Sequence, residues 1–503
     1  MCFGWRFDGR CSQNAQMEER FTFGKLKLSV SGARPPAQPA DDTPFRVLLL
    51  GDFSGRKNRG VAEPVSGRTG RRVDLDTVEA VLARIAPRLD LELARGERIE
   101  MQFTKLDDFR PDHLWAEHAF FAPHREMRNR LTNPTSFKAA MAEIAPNEAT
   151  EPPPQGAGET TGETLDRLLG RPAAPSASPV TPASVVEALI KQIVVPRIES
   201  HPDPRQAEVV AAFDAAVSGQ MRAVLHHPDF QALEAAWRGV DFLLRNVDLD
   251  ETLELHLLDV AHDELAADLR ASEDLATSAT CEMLVEQTAG TPGGRRWALI
   301  AGLFEFQPTD DHADFLARMA KIAAAAGASF IAGAGSQFLE ATEARAEMPA
   351  FGKAWQKLRQ LPEAGHLGLI APRFLLRLPY GRGTDEIDAF AFEEMPVVPR
   401  HDALLWGNPA LISTLLVAAS YRDTGWGSSP QDGSEVSGLP MHIFKESGEK
   451  KMTPCGEILL TDRVAENLLA LGVMPLASIR DRDAVRLVRF QSLAQPAARL
   501  ANF

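Results

Sequence analysis

Residues 223–244 read AVLHHPDFQALEAAWRGVDFLL. Pro228 breaks one helix and Asp229 is placed to cap the next, while Phe230, Leu233, Trp237, Val240 and Leu244 recur at spacings of three and four residues. These five side chains form one apolar stripe on one helix, so the helix must pack against a core. Upstream, Val210, Phe213, Val217 and Val224 mark a helix that leads into it. Downstream, Leu253, Leu255 and Leu257 alternate as a strand, and helices are predicted over 262–270 and 275–287. The apolar run 297–303 has strand length, QPTDDHADFLARMAKIAAAAG reads as a capped helix closed by Gly327, and SFIAGAG returns to strand. Strand alternating with helix predicts an α/β layer arrangement, mixed α+β at the level of the whole chain.

The N-terminal part has its own pattern. Phe21, Phe23, Lys25, Lys27 and Ser29 share one face of a predicted strand, with Thr22, Leu26, Leu28 and Val30 on the other. Such a mixture suits an edge or added strand. Met17 opens this better-patterned stretch and is a candidate start beside Met1. Residues 45–56, FRVLLLGDFSGR, read as a buried strand over Val47 to Leu50 ended by a tight turn at Gly51. Leu89, Leu91 and Leu93 alternate, Gly96 supplies a turn, and Ile99, Met101 and Phe103 alternate again, which predicts a hairpin. Phe109, Leu114 and Trp115, then Phe137, Met141 and Ile144, supply apolar faces for helices.

Between these parts, residues 145–183 are rich in Pro, Gly, Ala, Thr and Ser and read as a linker. Inside it ETLDRLLG would place Leu165, Leu168 and Leu169 on one helical face. The predicted organisation is an extension over 1–20, a first region over 21–144, the linker, and a second region over 184–503. A chain of 503 residues exceeds what one core ordinarily supports. With 69 acidic against 54 basic residues the net charge is −15, which argues against a general nucleic-acid binder. No apolar run approaches the roughly 18 to 20 residues of a membrane span, and the first residues lack an export h-region, so a cytoplasmic location is expected. Cys2, Cys11, Cys281 and Cys455 have neither disulfide nor zinc spacing.

The wording of these stretches adds to the periodicity. HHPDFQALEAAWRGVDFLL closely resembles the signature of the large contractile-sheath subunit of bacterial type VI secretion systems, the TssC/VipB/ImpC/EvpB family. HLGLIAPRFLLRLPYGRGTD, LLWGNPALISTLLVAASYRDTGW, GLPMHIF and GEILLTDRVAENLLALGVMPL resemble further segments of that family, in family order. PFRVLLLGDFSGR, RRVDLDTVEAVLARIAPRLDLEL, FTKLDDFRPDHL and SFKAAMAEI resemble, also in order, the small sheath subunit, the TssB/VipA/ImpB family. The joint resemblance implies a contractile-tail-sheath-like fold and a fused protomer that assembles with itself or with other sheath subunits. It implies further partners: an Hcp-like inner-tube protein, baseplate components and a ClpV-like AAA+ recycling ATPase docking on Leu165, Leu168 and Leu169. Phe21, Phe23, Lys25, Leu26 and Leu28 are the candidate inter-subunit strand. Large subunits of this type would continue for more than a hundred residues past RFQSLAQP, whereas the sequence ends at Phe503. An accessory or capping protein of the same ancestry is therefore the alternative expectation.

Enzymatic motifs are weak by comparison. In Gly51-Asp52-Phe53-Ser54-Gly55 the serine lies one position off the nucleophile-elbow spacing. Gly333-Ala334-Gly335-Ser336 lacks the third glycine of a dinucleotide loop. Adjacent His226 and His227 would diverge by about 100° on a helix, and Asp310, Asp311, His312 and Asp314 sit where helix capping explains them. Glu386, Asp388, Glu393 and Glu394 read as a solvated acidic face. No catalytic, cofactor or metal residue is expected, and a ligand-binding α/β protein or enzyme is the remote reading.

Overall fold

The computed structural model describes residues 43–94, 96–144, 203–288, 294–343, 351–395 and 398–501. The extension over 1–20, the strand predicted from Phe21, the linker and its short helix lie outside them. The described residues form two compact units, one from those within 43–110, 224–385 and 395–501, the other from those within 111–144, 203–223 and 386–394.

The first unit is built on strand β1 (Phe45–Gly51). Its run FRVLLLG is apolar without alternation, as a strand covered on both faces requires. Parallel partners lie on either side: β5 (Leu253–Asp259), with Val47 opposite Leu255, and β6 (Leu299–Phe306), with Val47 opposite Leu299. The parallel series continues from β6 through β7 (Ser329–Ala334) and β8 (Leu367–Ala371) to β14 (Val473–Ser478). Antiparallel strands close the ends, β2 (Arg71–Val73) beside β5, and β15 (Ala484–Leu487) with β11 (Glu435–Ser437) beside β14. The nine-stranded order is β11-β15-β14-β8-β7-β6-β1-β5-β2.

Helices cover both faces, which is why the inner strands carry so few polar residues. Leu48, Leu50 and Ile300 enter one core with α7 (His262–Arg270), α8 (Asp310–Ala326), α10 (Lys353–Arg359) and α12 (Asp462–Ala470). On the opposite face α11 (Ala410–Thr424) packs on β6 and β7 and against α6 (Pro228–Asn246). Helices α1 (Val78–Ile85) and α9 (Ser336–Glu343) complete the larger helical elements. The hairpin of β3 (Arg88–Glu92) and β4 (Arg98–Gln102) forms as its alternation predicts, with Leu89 opposite Met101 and Leu91 opposite Ile99. Two small pairs remain, β9 (Phe374–Leu375) with β10 (Trp406–Gly407), and β12 (Ile443–Glu446) with β13 (Glu449–Met452).

The second unit is helical. It joins α2 (Pro111–Glu117), α3 (Ala122–Thr132), α4 (Phe137–Ile144) and α5 (Gln206–Leu225), whose last two residues fall in the first unit. A fork of Arg128 on Asp214 at 2.7 and 3.0 Å ties α3 to α5, and Trp115 meets Phe390 edge-on at 5.0 Å.

Each compact unit draws on both regions 21–144 and 184–503, and both edges of β1 are satisfied by strands of the later region. Several local expectations are corrected. The helix expected over 275–287 is instead a 3-10 turn at Leu275–Thr277, a short helix and a π turn at Glu282–Glu286. Strand β5 is not half-exposed: Leu253 to Leu258 are all buried, Glu254 and His256 included. Glu254 is held there by Arg46 at 3.3 Å, Arg72 at 3.4 Å, Arg295 and His256 at 3.0 Å. Burial and the neighbouring Arg46 push the His256 imidazole below its usual range, against the pull of Glu254. Within the acidic run, Glu394 is buried rather than solvated. No helix among the described residues is long and apolar enough to cross a membrane.

Candidate functional site

The distinctive construction of the first unit is the joint between α6 and the turn that follows β1. Proline at N1 has no N–H to lose and is preset for helical φ, so Pro228 opens α6 rather than only ending α5. The cap is His227, whose Nδ1 accepts from the N–H of Asp229 at 3.2 Å, and not Asp229 itself. Asp229 instead lies in the first helical turn, where its charge suits the helix dipole, and it accepts from Asn58 at 2.8 Å.

Phe230, Leu233, Trp237, Val240 and Leu244 are all buried. Each such side chain contributes about 1.5–3 kcal/mol relative to exposure. Phe230 meets Phe103 and Phe109 at centroid distances of 6.0 and 5.8 Å. Trp237 meets Phe53 edge-on at 5.5 Å, and its Nε1 donates to the Phe53 carbonyl at 2.9 Å. The stripe therefore closes over side chains from the N-terminal region. Glu234, on the same helix and fully buried, is neutralised by Arg238 at 2.6 Å and Arg377 at 2.8 Å. Periodicity gave no reason to single it out.

The turn over 51–55 is fixed by carboxylates. Asp259, at the end of β5, accepts from the N–H groups of Phe53 and Ser54 at 2.9 and 3.0 Å, from Ser54 Oγ at 2.8 Å and from Arg56 Nε at 2.9 Å. Asp52 accepts from the N–H groups of Arg56 and Lys57 at 2.7 and 2.8 Å. Ser54 thus donates to a carboxylate that already serves three other donors, an arrangement that locks a loop and does not activate a nucleophile. Next to it Glu264 accepts from Arg68 at 2.8 Å and from the N–H groups of Glu63 and Ala261, each at 2.9 Å. Burial opposes its ionisation, yet Arg68 and those N–H groups hold its carboxyl down to about 2.

Beside this joint, at the carboxyl ends of β1, β5 and β6, lies a crevice of about 600 Å³ lined among others by Lys57, Asp229, His262, Glu305 and Arg373. The remaining motif residues have structural partners. At Gly335 the space a Cβ would need is filled by Gln307, 2.1 Å away, so its smallness serves packing. Thr309 caps α8 by accepting from the N–H of His312, whose Nδ1 in turn accepts from the N–H of Gln307 at 2.8 Å; Asp314 pairs with Arg318 at 2.9 Å. Leu165, Leu168 and Leu169, and Phe21, Phe23, Lys25, Leu26 and Leu28, lie outside the described residues.

The stretches that this joint brings together match known proteins of one kind. The family model described as EvpB/VC_A0108, tail sheath N-terminal domain, matches residues 207–494, more than half of the chain. The chain belongs to this tail sheath family. A second model, described as type VI secretion system, VipA, VC_A0107 or Hcp2, matches residues 28–146, so small- and large-subunit sheath domains follow one another in one polypeptide. The type VI secretion system sheath protein TssC1 of Pseudomonas aeruginosa is 33% identical over 305 residues, 58% of this chain and 61% of that protein. The sheath chain thus spans about three-fifths of the length of this curated relative. In sheath terms, β1 of the small-subunit region is an inner strand of the large-subunit sheet.

Proposed function

We propose that the chain is a structural subunit of the contractile sheath of a type VI secretion system, supplying both sheath regions from one polypeptide and assembling helically around an inner tube that contraction drives outward. The observation that carries this reading is the insertion of β1 between β5 and β6, which makes one mechanical body of stretches matching two sheath families. A sheath needs no chemical step. It needs a rigid subunit with repeating interfaces and two packings of similar energy, so that a switch at one end spreads through its neighbours. Carrying both regions on one polypeptide raises their effective concentration and fixes a one-to-one ratio.

Within this reading the strand of Phe21, Phe23, Lys25, Leu26 and Leu28 adds to the sheet of a neighbouring subunit, and Leu165, Leu168 and Leu169 form the docking face for a AAA+ recycling ATPase. The tube protein and baseplate components are the other partners, and the location is the bacterial cytoplasm. Negative-stain electron microscopy of the purified chain, alone and with its candidate tube protein, tests the function. Hollow helical tubes are expected; a uniform small oligomer in both samples would reject the main-sheath role in favour of an accessory or capping one.

A further inference from the structure

The hairpin of β12 and β13 stands apart from the nine-stranded sheet. None of its eight strand residues is buried, and Ile443 is 55% exposed. An isolated two-stranded hairpin is marginal in water, and the pairing here works against it: Lys445 faces Lys450 and Glu446 faces Glu449. Like charges directly opposite each other are destabilising, so these residues do not serve the hairpin's own stability. A groove of about 500 Å³ runs between β13 and the β14–β15 turn; four cations, Lys450, Lys451, Arg480 and Arg482, line it against one carboxylate, Asp481, together with the 56%-exposed Leu459. Lys451 and Arg482 pair with Glu446 and Glu435. Among the described residues no ion pair engages Lys445, Lys450 or Arg480.

The complementary charge lies on other elements of the same unit. Helix α7, the π turn and α8 are neighbours; they expose Asp263, Glu282, Asp310 and Asp311, and the segment after α7 exposes Glu273. Arg270 pairs at this surface with Asp311 at 3.5 Å and Asp314 at 3.9 Å, and Arg318 lies against Asp314 at 2.9 Å.

We propose that the basic, apolar-centred groove beside the β12–β13 hairpin docks on the acidic α7–α8 face of a second copy of the chain. The two patches differ, so the contact can repeat head-to-tail from copy to copy, and the rotation between copies sets whether the series closes or runs on as an open array. Leu459 in the groove and Ile443 on the adjoining strand β12, opposite the groove-lining Met452, supply the apolar part of the contact, while the lysines and arginine set register and partner choice. This rests on the sheath reading and names one of its subunit contacts.

The test uses the full-length chain and two charge-reversed variants: Lys445→Glu/Lys450→Glu/Arg480→Glu, and Asp263→Lys/Glu282→Lys/Asp311→Lys. Self-association is followed by sedimentation velocity, with thermal melts confirming that each variant folds. Each variant alone is expected to assemble at least about tenfold more weakly than the wild type. An equimolar mixture should assemble again, because the reversed patches complement one another and misfolded chains would not recover. Raising salt from about 50 to 500 mM should weaken wild-type assembly. Wild-type assembly left unchanged by the reversals would overturn this contact alone, and two weakened variants that do not rescue each other would overturn the pairing of these patches. A wild-type chain that stays monomeric throughout would overturn the contact together with the sheath reading.

Discussion

The indole nitrogen of Trp237 and the carbonyl oxygen of Phe53 lie 2.9 Å apart although 184 residues separate them in the chain. The bond joins the signature helix of the large-subunit region to the turn of the small-subunit region. Trp237→Phe keeps an aromatic ring and leaves a buried acceptor unpaired, so it should lower stability by about 1–2 kcal/mol. Trp237→Ala also opens a cavity and should lower it by about 3–5 kcal/mol. Urea unfolding of both variants checks the order and the gap between them.

Gly55 holds the same turn by its lack of a side chain. Its φ is 74°, and a Cβ would sit 2.3 Å from the Arg88 carbonyl oxygen. Gly55→Ala should cost more than about 2 kcal/mol, combining left-handed strain with a backbone clash. Gly67 shares the positive φ but has nothing within 4 Å, so Gly67→Ala should show the strain alone, about 1 kcal/mol. Equal melting temperatures for the two variants would contradict this account.

Glu264 gives the joint a pH dependence. Its folded-state carboxyl is held to about 2, below the ordinary 4.5, so its contribution is fully present above about 4.5 and is lost as pH falls toward 2. Glu264→Gln should lower stability by about 3 kcal/mol at neutral pH by leaving the Arg68 charge unpaired, and should flatten the fall of stability across that acidic window. Unfolding free energies at several pH values for wild type and variant measure both effects.

Because β1 lies between β5 and β6 and β2 flanks β5 on its other side, a fragment of residues 184–503 leaves β5 with no partner and one edge of β6 open. Expressed alone it should aggregate. Co-expressed with residues 1–144 it should become soluble and bind that fragment through two size-exclusion steps. A monodisperse 184–503 fragment with a cooperative melt would contradict this arrangement.

What was legible in the sequence followed local period. The stripe from Phe230 to Leu244, the run at Val47 to Leu50 and the alternation on both sides of Gly96 each carry their own signal, and each forms the element it predicts. What was not legible depended on distant partners. Leu253, Leu255 and Leu257 suggested a one-sided strand because Glu254 and His256 are polar, and only the arginines at 46, 72 and 295 explain their burial. Glu234 was silent for the same reason, since Arg377 reaches it from another segment. The cap at His227 was passed over because histidine is an uncommon choice beside an aspartate two residues on. The inter-subunit strand and the ATPase-docking leucines remain readings of the sequence.

The central position of β1 also governs how the molecule is made. Its first paired residues, Phe45 and Leu253, leave the ribosome far apart in time. At roughly 5–20 residues per second, a strand of four consecutive buried apolar residues waits on the order of 10–40 s for its neighbour, and longer for β6. During that wait the nascent chain is open to mispairing with other nascent copies, so its yield in the cell should depend on chaperone capacity and translation speed more than the stability of the finished sheet suggests.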